Sequence, residues 1–76
     1  MELFERITVN PAVMSGKTCI RGMRVTVANI LRMPASGHDR ERILKAYPYL
    51  ESADIDASIF YASLLVDDEE LPAAVK

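Results

Sequence analysis

The stretch from Thr26 to Pro48, TVANILRMPASGHDRERILKAYP, carries the punctuation that decides the fold. Thr26 is a helix-capping residue, and Val27, Ile30 and Leu31 follow it at helical spacing. Pro34 removes an amide donor and disfavours helical geometry at Met33, so this helix is expected to stop near Met33 or to kink before Gly37. Gly37 suits the left-handed residue that closes a helix, and Asp39 is a good cap for a second helix over Arg40 to Ala46, with Ile43 and Leu44 facing the core. Pro48 ends that helix. Two short helices separated by a Gly-containing break therefore sit in the middle of the chain.

On the C-terminal side, the connector from Tyr47 to Ser52 leads to a third helix, capped by Ser52. From Asp54 to Val66, the positions Ile55, Ile59, Ala62 and Val66 fall on one stripe, widened by Phe60 and Leu65, and this stripe is expected to face the core. Asp54, in the first turn, complements the helix macrodipole. Asp67, Asp68, Glu69 and Glu70 then form an acidic run, and the segment 67–76 reads as an extended acidic tail following a single domain over 1–66. On the N-terminal side, Ile7-Thr8-Val9 and Thr18-Cys19-Ile20 are β-prone runs, with Asn10-Pro11 and Ser15-Gly16 as turn chemistry between them. The expected fold is mainly α, three helices behind a short N-terminal β-hairpin.

The 76 residues fit one small domain. A chain of this size buries only about 60% of the surface its unfolded form exposes, so a partner subunit is expected to supply part of its stability. The formal charge of −2 conceals an asymmetry. Residues 1–50 carry eight Lys/Arg against four Asp/Glu, or +4, while residues 51–76 carry one Lys against seven Asp/Glu, or −6. One cysteine, Cys19, excludes an internal disulfide, and with His38 as the only histidine there is no zinc constellation. The first residues lack the apolar core of a signal peptide, and no apolar run approaches the roughly 20 residues of a membrane helix. A cytoplasmic protein without a membrane segment is expected.

Residues that carry enzyme chemistry do not converge. Cys19 and His38 lack a third orienting group, Asp54 and Asp56 are two apart on a helix and point in different directions, and Gly16, Gly22 and Gly37 are too dispersed for a nucleotide loop. The chain reads as a non-enzyme without a cofactor. The window from Lys17 to His38 is the distinctive feature, for it holds Lys17, Arg21, Arg24 and Arg32 and no acidic residue. Either these are solubilising arginines or they form a binding face, with Gly22 allowing close approach between Arg21 and Arg24. Tyr47, Tyr49 and Tyr61 are read either as interface anchors or as cover for the core.

Ser15-Gly16-Lys17-Thr18-Cys19-Ile20-Arg21-Gly22-Met23-Arg24-Val25, the later Ser36-Gly37, Ile43-Leu44-Lys45-Ala46-Tyr47-Pro48, Leu50, Asp54-Ile55 and Ala57 together resemble the pattern of the domain of unknown function 433 family, small bacterial and archaeal antitoxin-like proteins. The resemblance runs from about Ile7 to Tyr61. Thr18, Met23 and Pro34 depart from it, standing where proline, threonine and an apolar helical residue are usual. The resemblance implies a helix-turn-helix core, homeodomain-like or winged-helix-like, in an antitoxin that binds and silences a toxin with a PIN-like ribonuclease domain and also binds its own operator DNA. Because such a nuclease clusters carboxylates around divalent metal, Lys17, Arg21, Gly22 and Arg24 are the expected toxin contacts, with Leu71 and Val75 of the tail as a second mode. Arg24, Arg32, Arg40, Ser52, Ser58 and Tyr61 are the expected nucleic-acid contacts, although the third helix contains no Lys or Arg and its carboxylates repel phosphates. Two other readings stand beside this one: a DNA-binding regulator without a toxin, and a structural module that oligomerises, as a dimer, through its opposite charges.

Overall fold

The computed structural model describes residues 3–68 of the chain. A one-turn helix α1 (Leu3–Arg6) leads into β1 (Ile7–Val9), which pairs antiparallel with β2 (Thr18–Ile20) in the register Ile7↔Ile20, Thr8↔Cys19, Val9↔Thr18. Three helices follow, α2 (Val27–Ala35), α3 (Arg40–Ala46) and α4 (Ser52–Asp68). The fold is thus mostly helical, with a short two-stranded hairpin near the N-terminus. Both strands and α3 lie where the β-prone runs and the Asp39 cap place them.

The loop between the strands opens with an Asn10 turn, in which Ala12 N donates to Asn10 Oδ1 at 2.9 Å and Val13 N to Asn10 O at 2.9 Å. It closes through three successive left-handed residues, Met14 (φ +49°), Ser15 (+57°) and Gly16 (+79°). After β2 the chain reverses again. Met23 N donates to Ile20 O at 2.8 Å across Arg21 (φ +46°) and Gly22 (φ +71°), so both central residues are left-handed, as a type I′ hairpin turn requires. The returning strand-like segment meets β2 through Ile20 N to Val25 O at 3.0 Å and a bridge between Cys19 and Thr26.

Thr26 then caps α2, its hydroxyl accepting from Asn29 N at 3.1 Å. The helix runs through Pro34 to Ala35, two residues beyond the stop expected at Met33. Pro34 is tolerated so close to the end because only one ladder bond is lost there. The terminus is a Schellman motif: Gly37 (φ +91°) donates its amide to Pro34 O at 3.0 Å and His38 donates to Met33 O at 3.0 Å. Asp39 caps α3 by accepting from Arg42 N at 2.8 Å. A turn over Tyr47–Leu50, closed by Leu50 N to Tyr47 O at 2.9 Å, delivers Leu50 into the core before α4 begins.

The core consists of Ile20, Val25, Val27, Ile30, Ile43, Leu50 and Ile55, with Ile7, Met23, Leu31, Leu44, Tyr47 and Tyr61 packed against it. Helix α4 corrects two expectations. Ser52 is its first helical residue rather than its cap, and the cap position falls on Glu51, whose amide donates to Asp54 Oδ2 at 2.8 Å. The apolar stripe also does not face the core along its length: Ile55 is 3% exposed, but Ile59 is 48% and Val66 56% exposed. The buried residues of α4 are Asp54, Ile55, Ala57 and Ser58, all in its first half. The helix includes Asp67 and Asp68, where an extended tail was expected to begin. No helix among the described residues is long and apolar enough to cross a membrane.

Candidate functional site

The antiparallel register sets Arg6 and Arg21 opposite each other just past the strand ends, where Arg21 N donates to Arg6 O at 2.9 Å. Two like charges in such a pair repel. Asp54, fully buried in the first turn of α4, resolves the repulsion by accepting from both. Its Oδ1 accepts from Arg6 Nη1 at 2.8 Å and Arg21 Nε at 3.2 Å, and its Oδ2 from Arg21 Nη2 at 2.8 Å and Glu51 N at 2.8 Å. Four donors fill the acceptor positions of one carboxylate. Arg6 also binds Glu51 Oε1 at 2.6 Å, and Arg21 Nη2 donates to Tyr49 O at 2.9 Å.

This cluster shifts the ionisation of its members. Burial pushes the Asp54 carboxyl up and is the largest single influence, but the Arg21 fork, the Glu51 amide and Arg6 together outweigh it, leaving the carboxyl below its ordinary range. Arg6 is raised by its hydrogen bonds to Glu51 and Asp54, and Arg21 by its hydrogen bond to Asp54. All three stay charged at neutral pH. The arrangement clamps the hairpin onto α4, a larger task for Asp54 than complementing a macrodipole.

The residues expected to touch a toxin therefore divide. Arg21 is committed to Asp54, and its charge is balanced within the fold. Gly22 lies in the I′ turn with its amide donating to Thr8 Oγ1 at 2.8 Å, and the space where a Cβ would project is open. Lys17 immediately precedes β2 and Arg24 follows the turn after it; both are exposed, with no side-chain ion pair or hydrogen bond among the described residues. Leu71 and Val75 lie outside the described residues.

The residues expected to touch nucleic acid divide as well. Ser58 is fully buried and donates its hydroxyl to Asp54 O at 2.9 Å, which withdraws it from any surface. Arg40 binds Ser52 O at 2.9 Å, Ser52 Oγ at 2.7 Å and Asp56 Oδ1 at 2.7 Å, so Arg40 and Ser52 satisfy each other across the α3–α4 connector. Tyr61 is half-buried against the core. Arg24 and Arg32 remain exposed. Reading by residue type passed over Arg42 and Lys45, exposed on α3 and likewise without a side-chain ion pair among the described residues. It also passed over a cleft of about 250 Å³ between the end of α2 and α3, lined by Met33, His38, Arg42, Ile43, Ala46 and Tyr47. His38 Nδ1 is buried there without a hydrogen-bond partner.

Cys19 is buried in β2 with its Sγ 3.2 Å from Lys17 O and does not line that cleft with His38. Among the described residues no three His, Cys, Asp or Glu side chains gather as metal ligands. Among the described residues, Lys17, Arg24, Arg32, Arg42 and Lys45 are exposed without an ion pair, as are the acids Glu5, Asp39, Glu41, Asp67 and Asp68, while Glu51, Asp54 and Asp56 are held in ion pairs.

An uncharacterised protein, y4eO of Sinorhizobium fredii (strain NBRC 101917 / NGR234), is 36% identical over 58 residues, which are 76% of this chain and 26% of that relative. The chain thus spans about a quarter of the length of the curated relative it matches. No solved structure matches it. Residues 7–62 match the family described as protein of unknown function (DUF433), and the chain belongs to that family.

Proposed function

We propose that the protein is an antitoxin-like inhibitor that binds a PIN-like ribonuclease through Lys17 and Arg24. The observation that supports this reading is local: Lys17 and Arg24 lie on either side of β2 and its turn, exposed and without a side-chain ion pair among the described residues, while the acidic residues at the start of α4 are held by arginines of the same chain. A nuclease that holds divalent metal with clustered carboxylates offers the complementary surface. Gly22, with open space beside it in the turn before Arg24, lets the partner's backbone come close. Arg21 positions this turn through Asp54 and does not itself meet the partner. The test is affinity for the product of the adjacent gene, expected on this reading to be a PIN-like nuclease, with Lys17→Glu and Arg24→Glu combined. The double variant is expected to lose at least about 100-fold, since each lost charge pair at an interface is worth roughly 1.5 kcal/mol or more; unchanged affinity removes the reading.

A second reading, operator binding, draws on a different observation. The four-residue break Ser36–Asp39 between α2 and α3 has the length and glycine content of a helix-turn-helix turn, and α3 presents Arg42 and Lys45 while α2 presents Arg32. On this reading α3, not α4, approaches the groove, because the start of α4 is acidic and its Arg40 contact is internal. Operator binding that disappears in Arg42→Ala/Lys45→Ala and weakens steeply with salt supports it. A protein that fails to shift operator DNA, alone or with the toxin, rules it out.

A further inference from the structure

The cleft between the end of α2 and α3 shares no residue with the Asp54 cluster, and its volume is about 250 Å³. An apolar cavity of about 150 Å³ holds a benzene ring, and drug-sized ligands take about 300 Å³ or more, so this space suits one ring with a short polar arm. Three parts of the chain build it. Met33 comes from the last turn of α2, His38 from the Schellman turn, and Arg42, Ile43 and Ala46, with the capping residue Tyr47, from α3. Ile43 is buried in the core, while Ala46 contributes only a methyl group and leaves room beside it. Tyr47 packs edge-to-face against Tyr49, ring centroids 6.0 Å apart, which steadies its ring.

The lining selects the chemistry of an occupant. The Met33 thioether, the Tyr47 ring and the planar Arg42 guanidinium each favour an aromatic ring over an aliphatic body. Arg42 brings the charge. Its backbone amide donates to Asp39 Oδ1 at 2.8 Å, but its guanidinium has no ion pair or hydrogen bond among the described residues. The exposed acids on the same stretch, Asp39 and Glu41, do not line the cleft. Nor do open carbonyls at the end of α2 oppose an anion, because those of Arg32, Met33 and Pro34 accept from the amides of Ser36, Gly37 and His38. His38 adds a polar demand: its Nδ1 is buried without a hydrogen-bond partner, which is uncommon in a native fold and calls for a group to meet it. We infer that this cleft binds a small aromatic carboxylate, its ring between Met33 and Tyr47 and its carboxylate on the Arg42 fork, with the His38 imidazole turning to donate to it. The inference rests on neither reading of the protein partner, since Lys17 and Arg24 do not line the cleft.

Amide NMR of the isotope-labelled full chain tests it, with hydrocinnamate, an acid of about eleven non-hydrogen atoms, added to about 10 mM. A Kd of roughly 0.1 to 1 mM is expected for a ligand of that size, with the largest shifts at His38, Ile43, Ala46 and Tyr47. The corresponding amide, which keeps the ring and loses the charge, is expected to bind about 10-fold more weakly, and the corresponding amine not to enter the cleft. Arg42→Gln is expected to bring the acid down to the affinity of the amide. Ala46→Leu, which fills the cleft from an exposed helical position, is expected to abolish binding of both with an unchanged circular dichroism spectrum. If Arg42→Gln fails to fold, the comparison of acid with amide on the wild type and the Ala46→Leu variant carry the test. No shift at about 10 mM overturns the inference, as does equal binding of acid and amide, or an acid affinity unchanged in Arg42→Gln. Shifts at Lys17 and Arg24 as large as those in the cleft would mean general attraction of anions and overturn it too. A branched aliphatic acid of the same length that binds as tightly as hydrocinnamate overturns the aromatic class of the ligand.

Discussion

Arg21 grips Asp54 with a two-point fork, Nε to Oδ1 at 3.2 Å and Nη2 to Oδ2 at 2.8 Å, while its own backbone sits in the left-handed region at φ +46°. A non-glycine residue there carries a steric cost of about 1 kcal/mol or more. The turn is held in that state because the fork and the bond to Tyr49 O reward it. The hairpin and α4, 33 residues apart in sequence, are joined at this point.

Replacing Asp54 by Asn removes the shared anion and leaves two facing arginines. Asp54→Asn is expected to destabilise the protein by about 3 kcal/mol, as breaking a buried ion pair does. Urea unfolding followed by circular dichroism reads it. A loss below about 1 kcal/mol would mean that the cluster is not what fastens the hairpin.

The same carboxyl predicts the response to acid. Its folded pKa lies below the unfolded value, so its contribution is fully present above about pH 4 and is lost as pH falls through the folded pKa. Stability is therefore expected to decline below about pH 4 in the wild type and to decline less steeply there in Asp54→Asn. Parallel slopes in that window would assign the acid sensitivity to other groups.

Arg21 separates strain from ion pairing. Arg21→Ala loses the fork and keeps the left-handed strain, whereas Arg21→Gly loses the fork and relieves the strain. The glycine variant is expected to be the more stable of the two by about 1 kcal/mol, even though glycine normally loosens the unfolded chain. Chemical denaturation midpoints of the two variants decide the point, and the reverse order would contradict the assigned turn.

Ile30, fully buried at the centre of α2, packs against the core residues of the hairpin and α4. Ile30→Ala is expected to cost about 3 kcal/mol, a large share of the roughly 5 kcal/mol available to so small a domain. By contrast Ser58→Ala, which deletes a hydroxyl bonded only within its own helix, is expected to change stability by less than about 1 kcal/mol. Thermal unfolding of the two variants tests both statements.

Local signals placed the strands, the Thr26 and Asp39 caps and the Gly37 stop, because each depends on residues within one turn of one another. The roles of Asp54 and Arg21 were not legible. A carboxylate in the first turn of a helix looks the same whether it serves the macrodipole or two arginines, and Arg6 lies 48 positions away. Pattern also misjudged α4 in its second half, since periodicity reveals which side chains align but not where the rest of the chain ends. That is why Ile59 and Val66 read as core and are exposed. The family pattern pointed to Arg21 and Arg24 together; only the geometry separates the arginine that builds the turn from the one left free beside it.

On the proposed function, Lys17 and Arg24 meet the partner, and Arg21 only holds the turn that presents Arg24. Calorimetric titration of the wild type, Lys17→Glu/Arg24→Glu and Arg32→Glu against the product of the adjacent gene, which the proposed function expects to be a PIN-like nuclease, measures this directly. The account predicts saturable binding by the wild type, a loss of about 100-fold or more in the double variant and a much smaller change in Arg32→Glu. Absence of binding by the wild type, or equal affinity for the wild type and the double variant, would contradict it.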